Sequence, residues 1–256
     1  MKLALLVALA ACQPSVSDYP YGPGGDPPKG GGPSSPGIDA SVDANDGGDG
    51  GAQITGRVCL LNDLRRIGAT RFCAPNGLTA LQLVVSLGPR TATPADDGTF
   101  TIQPPAGAGF TWHVASASAR TAPIMTSAMP FGTDNTIPAV TFDRYMTLQQ
   151  NNGVQLNDLE GSVIVRVIDA VGGVAQVQAA TTQTDTPLLY DAPNSAEVWG
   201  TLQTDALGIV WVPSVPVQNP VTQAVPITLS RQGVIVAQLA AIIENQTITF
   251  LTQELR

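Results

Sequence analysis

Apolar residues in this chain recur at every second position, and that period limits the possible folds more than any other feature. Leu81, Leu83, Val85 and Leu87 alternate with Gln82, Val84 and Ser86. Phe100 and Ile102 alternate with Thr99, Thr101 and Gln103, and Val163, Val165 and Val167 with Ser162, Ile164 and Arg166. Ile248 and Phe250 do the same against Thr247 and Thr249. Clusters of Gly, Pro, Asn and Asp separate these runs at the spacing of a β-sandwich. Composition agrees. Only 12% of residues are charged, while Gly (26) and Pro (21) are abundant, and long amphipathic helices need charged faces that this chain lacks. The best helical candidate is Asp143 to Asn152, one or two turns. The expected fold is all-β.

The N-terminus reads differently. Lys2 precedes an apolar run from Leu3 to Ala11, the layout of a secretory signal and too short to span a bilayer. Leu9-Ala10-Ala11-Cys12 resembles the bacterial lipobox. The resemblance implies cleavage before Cys12, diacylation of its thiol, and a mature protein held on a membrane by lipid. Several acyl chains, at about 0.8 kcal/mol per buried CH₂, make such anchoring durable. Gln13 is not the Asp that resembles an inner-membrane retention signal, so an outer-membrane location is expected if the source is Gram-negative. Residues 1–11 form the signal, and 12–52 the lipidated Cys12 and a tether. Eighteen of the forty positions 13–52 are Gly or Pro, and six Asp face the single Lys29. Such a stretch buries too little to offset its ordering entropy and is expected to be disordered, averaging about 35 Å end to end. Asp43 to Gly50 lacks the closing Glu of a calcium loop, so no metal is expected.

Beyond residue 52 the head reads as two similar halves. Ile54-Thr55-Gly56-Arg57-Val58 is followed by Thr93-Pro94-Ala95-Asp96-Asp97-Gly98-Thr99-Phe100. Gly161-Ser162-Val163-Ile164-Val165 is followed by Thr204-Asp205-Ala206-Leu207-Gly208-Ile209-Val210-Trp211. Each has a Thr, an acidic turn, a Gly and an alternating strand. This order resembles carboxypeptidase regulatory-like domains, seven-stranded transthyretin-like (Ig-like) sandwiches of bacterial surface proteins. The resemblance implies two tandem β-sandwiches, 53–142 and 161–256, joined by a short helical linker at 143–160. It carries no catalytic residues over. The second copy departs in its long insertion, Thr181 to Thr201, and in Leu207 within the acidic turn.

The residues exclude several chemistries. A net charge of −8 argues against nucleic-acid binding. The only lysines are Lys2 and Lys29 and the only histidine is His113, which closes Schiff-base and histidine-rich metal routes. His113 falls on the strand face opposite Phe110, Trp112 and Val114 and is expected outward and solvated. Asp96, Asp97, Asp185, Asp191, Glu197 and Asp205 are acids without an evident pair, and all but Glu197 sit in turn contexts. Cys59 and Cys73 form an even pair in an exported chain, most simply a disulfide closing a 15-residue loop that holds Arg65, Arg66 and Arg71. Trp112 and Trp211 are expected in the core.

Tyr190 and Trp199 belong to or follow the insertion. They either fold back on the second sandwich or form an exposed aromatic edge for a ligand, with Tyr190 and Trp199 as candidate binding residues. The expected function is a non-catalytic, lipid-anchored cell-envelope protein needing no cofactor. Its partners would be the membrane and an envelope polysaccharide or another surface protein. The alternative is a carbohydrate-binding surface lipoprotein.

Overall fold

Fourteen strands and one α-helix form among the described residues. A computed structural model describes residues 52–256 apart from 108, 118–123, 133–134, 156, 158, 194–197 and 218–221. Cys12, the signal and residues 12–51 of the tether lie outside them. The first half carries β1 (Ile54–Leu60), β2 (Leu83–Leu87), β3 (Arg90–Ala92), β4 (Thr99–Ile102), β5 (Thr111–Ser116), β6 (Thr126–Pro130) and β7 (Thr136–Ala139). After α1 (Phe142–Asn151) the second half carries β8 (Glu160–Ile168), β9 (Val177–Ala180), β10 (Leu189–Tyr190), β11 (Ile209–Pro216), β12 (Thr222–Arg231), β13 (Val234–Glu244) and β14 (Thr247–Glu254). The all-β expectation stands, with the period of two visible in the burial of β2 and β4.

The two halves repeat one pairing plan. β1 pairs antiparallel with β4 and parallel with β7; β8 pairs antiparallel with β11 and parallel with β14. β5 lies antiparallel between β2 and β6, as β12 does between β9 and β13. The turns match in detail. Val58 N–H donates to the Gly98 carbonyl at 2.8 Å, and Val167 N–H to that of Gly208 at 2.7 Å. Gly98 and Gly208 have φ of +87° and +67°, and a Cβ on either would overlap a carbonyl of the facing strand, of Val58 or of Val167. Arg57 faces Thr99 and Arg166 faces Ile209, so the true equivalence is Arg57-Val58 with Arg166-Val167. The motif alignment read from sequence, Ile54 with Gly161, is therefore two residues out of step. A shift of two preserves the inward-outward alternation, which is why the pattern alone does not reveal it.

The halves share a sheet. β14 pairs in parallel with β6 over Thr247–Thr249 against Thr126–Ala128, fusing one sheet from each half into the order β10-β11-β8-β14-β6-β5-β2-β3. The sheet β4-β1-β7 and the sheet β13-β12-β9 complete the two layers. The described residues from 52 to 256 form one compact unit.

This explains a second departure. β8 is not half-buried: Val163, Val165 and Val167 enter an aliphatic core with β12 and β13, while Ile164 enters the other core with Trp112, Trp211 and Phe250. A strand covered on both faces reads as a continuous apolar run. The cover includes α1, which packs on the core. Thr141 caps it by accepting from Arg144 N–H, and Tyr145 and Leu148 are buried, with the Tyr145 ring 6.2 Å from that of Trp211.

Candidate functional site

The most elaborated region is the seam where the loop after β1 meets the insertion of the second half. Cys59 and Cys73 are bonded, with Cα atoms 4.7 Å apart, as the spacing in sequence suggests. The bond pins a loop whose Asp63 accepts from Arg65 Nε at 2.9 Å and Nη2 at 3.0 Å, a bidentate pair. Arg65 is buried, and its Nη1 donates to the Ala192 carbonyl at 3.0 Å, tying the first half to the insertion of the second.

The insertion folds back on the body. Leu189 and Tyr190 form β10 against β11, and Tyr190 exchanges two backbone hydrogen bonds with Gly200, each 2.8 Å. Tyr190 and Trp199 are both 4% exposed. The expectation of an exposed aromatic edge is corrected: Trp199 packs 5.1 Å from Trp211, and the Tyr190 hydroxyl meets the Ala179 backbone. The apolar surface of these rings, at about 25 cal/mol per Å², favours burial when a sheet lies within reach. Burial raises the Tyr190 phenol above its ordinary pKa. Trp112 and Trp211 are core residues, as expected.

Asp191 is the residue whose role the sequence conceals. It is buried, and its carboxylate accepts backbone N–H groups of Asp205 (3.1 Å), Leu207 (2.9 Å) and Ile209 (2.9 Å). One side chain thus organises the whole turn before β11. The acids of the first-half turn are exposed instead: Asp97 takes the N–H and hydroxyl of Thr99, and Asp96 the N–H of Thr79. Backbone hydrogen bonds, from Gly77 for Asp96 and Thr99 for Asp97, hold both below their ordinary pKa. His113 is not simply solvated. Its Nε2 lies 3.0 Å from Glu244 Oε1 at the end of β13, a partner 131 residues away that no local pattern could indicate.

Glu160 and Asp185 both line a polar cleft of about 940 Å³ with Gln155, Thr186 and Ser214, and neither a histidine nor a cysteine lines it with them. Among the described residues no group of three His, Cys, Asp or Glu is placed to hold a metal. Glu197 and Cys12 lie outside the described residues. No protein-family model matches this chain, and no curated protein matches it.

Proposed function

We propose that this chain is a lipid-anchored cell-envelope protein whose head, two transthyretin-like β-sandwiches merged through one sheet, serves as a non-catalytic structural or interaction module. The observation that carries it is the Cys59–Cys73 disulfide, which belongs in an oxidising compartment, standing behind the lipobox-like Leu9-Ala10-Ala11-Cys12. The resemblance to carboxypeptidase regulatory-like domains gains support from the matched turns at Gly98 and Gly208. Side chains that could do chemistry are engaged in holding the fold: Asp191 and Asp97 bind turn backbones, and His113 meets Glu244.

For a partner, the reading favours another surface protein over a polysaccharide. The aromatic pair that motivated sugar binding is buried, whereas β13 is an edge strand of eleven residues with Val234, Ile235, Val236 and Ile242 exposed. The reading places the head at the end of the 13–52 tether, on the outer membrane if the source is Gram-negative. Intact mass of the detergent-extracted protein tests it. The expected species lacks residues 1–11 and carries acyl mass on Cys12, and Cys12→Ser releases the protein from membranes. A product that retains Met1, or carries no lipid, overturns the anchor.

A further inference from the structure

Four of the chain's ten arginines converge on one small cavity at the seam, in a protein of net charge −8. The cavity holds about 100 Å³ and is lined by Arg65, Arg66, Arg71 and Phe72 from the disulfide loop and by Arg166 and Leu207 from the second half. Arg66 and Arg71 flank the Phe72 ring, their guanidinium carbons 4.9 and 4.8 Å from its centroid. Arg166 comes from the end of β8 and lies over Gly68, where any Cβ would overlap its guanidinium. Three carboxylates stand on the elements around the cavity: Asp63, Asp191 and, in the turn that carries Leu207, Asp205. Asp63 is bidentate to Arg65, with Arg66 only at 3.8 Å, and Asp191 is occupied by three backbone N–H groups. Four guanidinium groups outnumber the three carboxylates of Asp63, Asp191 and Asp205.

The repeat shows why Arg166 lacks an acid. Its first-half equivalent, Arg57, donates from Nε to the Asp97 carbonyl at 3.1 Å and sits beside the Asp97 charge. Aligning Gly98 with Gly208 puts Leu207 where Asp97 stands. The second half keeps the arginine and loses its counterion. Among the described residues no carboxylate lies within ion-pair distance of Arg166, which is half-buried. Clustered guanidinium groups repel, and a half-buried one is poorly compensated by water, so an external anion relieves both terms.

We infer that Arg66, Arg71 and Arg166 form a binding site for a tetrahedral oxyanion, a phosphate or sulfate group. Planar guanidinium forks match such oxygens two at a time. At about 100 Å³ the cavity has room for one such group. The group is a free ion or the exposed phosphate of a lipid headgroup, and the chemistry at the arginines is the same for both.

Thermal unfolding of the full chain in inorganic phosphate, against chloride at equal ionic strength, tests the site. The midpoint is expected to rise with phosphate by mass action and to saturate. Arg166→Gln is expected to weaken the apparent affinity about tenfold, the loss of charge-assisted hydrogen bonds, and Arg71→Gln to weaken it in the same direction. Arg71 is exposed, so its variant carries the test should Arg166→Gln fail to fold. Flotation of the Cys12→Ser chain with phosphatidylglycerol vesicles, against phosphatidylcholine, separates the sources. Flotation lost in Arg166→Gln assigns the headgroup, and a phosphate response without flotation assigns the free ion. A phosphate response equal to that of chloride, or one unchanged in both variants, overturns the site.

Discussion

The two halves of the head share one pairing plan and fill it with different chemistry. The first-half core is aromatic: Phe100, Trp112 and Phe131 meet edge to face at 5.5 Å, and Tyr145 and Trp199 close on Trp211 from beside it. The second-half core is aliphatic apart from Tyr190, with Val163, Val165, Val212, Ile227, Leu229 and Ile243 fully buried. The difference follows from what covers each. Two facing sheets interdigitate β-branched side chains well, and the second half is sealed in that way. The first core extends under loops and α1, which approach irregularly, and large rings fill such space. Its lid also needs a covalent tie. One topology is therefore stabilised by two packing strategies, which the shared sheet is expected to couple in unfolding.

That coupling can be broken most severely at Trp211, fully buried on a second-half strand yet part of the first-half core. Trp211→Ala is expected to cost about 4 kcal/mol and to shift tryptophan fluorescence and far-UV circular dichroism transitions equally in denaturant titration. All three tryptophans sit in the first core, so a fluorescence transition that moves while part of the circular dichroism transition stays in place would mean the halves are independent. Asp191→Ala strands three backbone N–H groups, that of Ile209 buried and those of Asp205 and Leu207 half-buried, and is expected to cost about 3 kcal/mol in the same titration. The corresponding first-half change, Asp97→Ala, touches only exposed groups and is expected to be much the smaller of the two. Cys59→Ser with Cys73→Ser is expected to lose about 3 kcal/mol for its 15-residue loop and to detach Arg65 from Ala192, read as faster amide exchange at both.

Titration separates the cores further. Burial pushes the Tyr145 phenol up from 10.0 to about 12. The folded state thus favours the neutral phenol, and the contribution, about 3 kcal/mol, is complete below pH 10 and lost as pH rises toward 12. Tyr145→Phe is expected to flatten the alkaline limb of the stability profile between those values. At the other end, hydrogen bonds from backbone N–H groups lower the Asp96, Asp97 and Asp169 carboxyls, chiefly from Gly77, Thr99 and Val171 respectively. Their contribution is present above the ordinary 3.8 and disappears as pH falls through their folded values. These groups are exposed, and the acid slope they produce is expected to be the smallest of these effects, lost in the Asp97→Asn and Asp169→Asn variants.

The strands of the first half were legible because Thr99, Phe100, Thr101 and Ile102 alternate cleanly, as water on one face and core on the other require. β8 resisted the same reading because Ile164 and Val165 are both buried, and alternation cannot report a strand wet on neither side. The disulfide was legible from parity and compartment. The roles of Tyr190 and Trp199 were not, since exposure depends on whether a distant strand lies within reach. Asp191 looked like any turn aspartate. Only the path of the chain brings its carboxylate to three amides between 14 and 18 residues ahead.

The position of β14 has a consequence for the order in which the molecule can be made. It is the last of the described strands to leave the ribosome, yet it lies between β8 and β6, parallel to both. Until it arrives, β6 and β8 present open edges and the two halves have no common sheet. The β6–β14 and β8–β14 pairings span 121 and 86 residues, and such long-range pairings close slowly, since the chain must first give up the entropy of a long loop. The strands of the first half can pair among themselves before then, but the shared sheet cannot form until β14 is available, and the edges of β6 and β8 stay open meanwhile. Those open edges need protection from other strands while they wait.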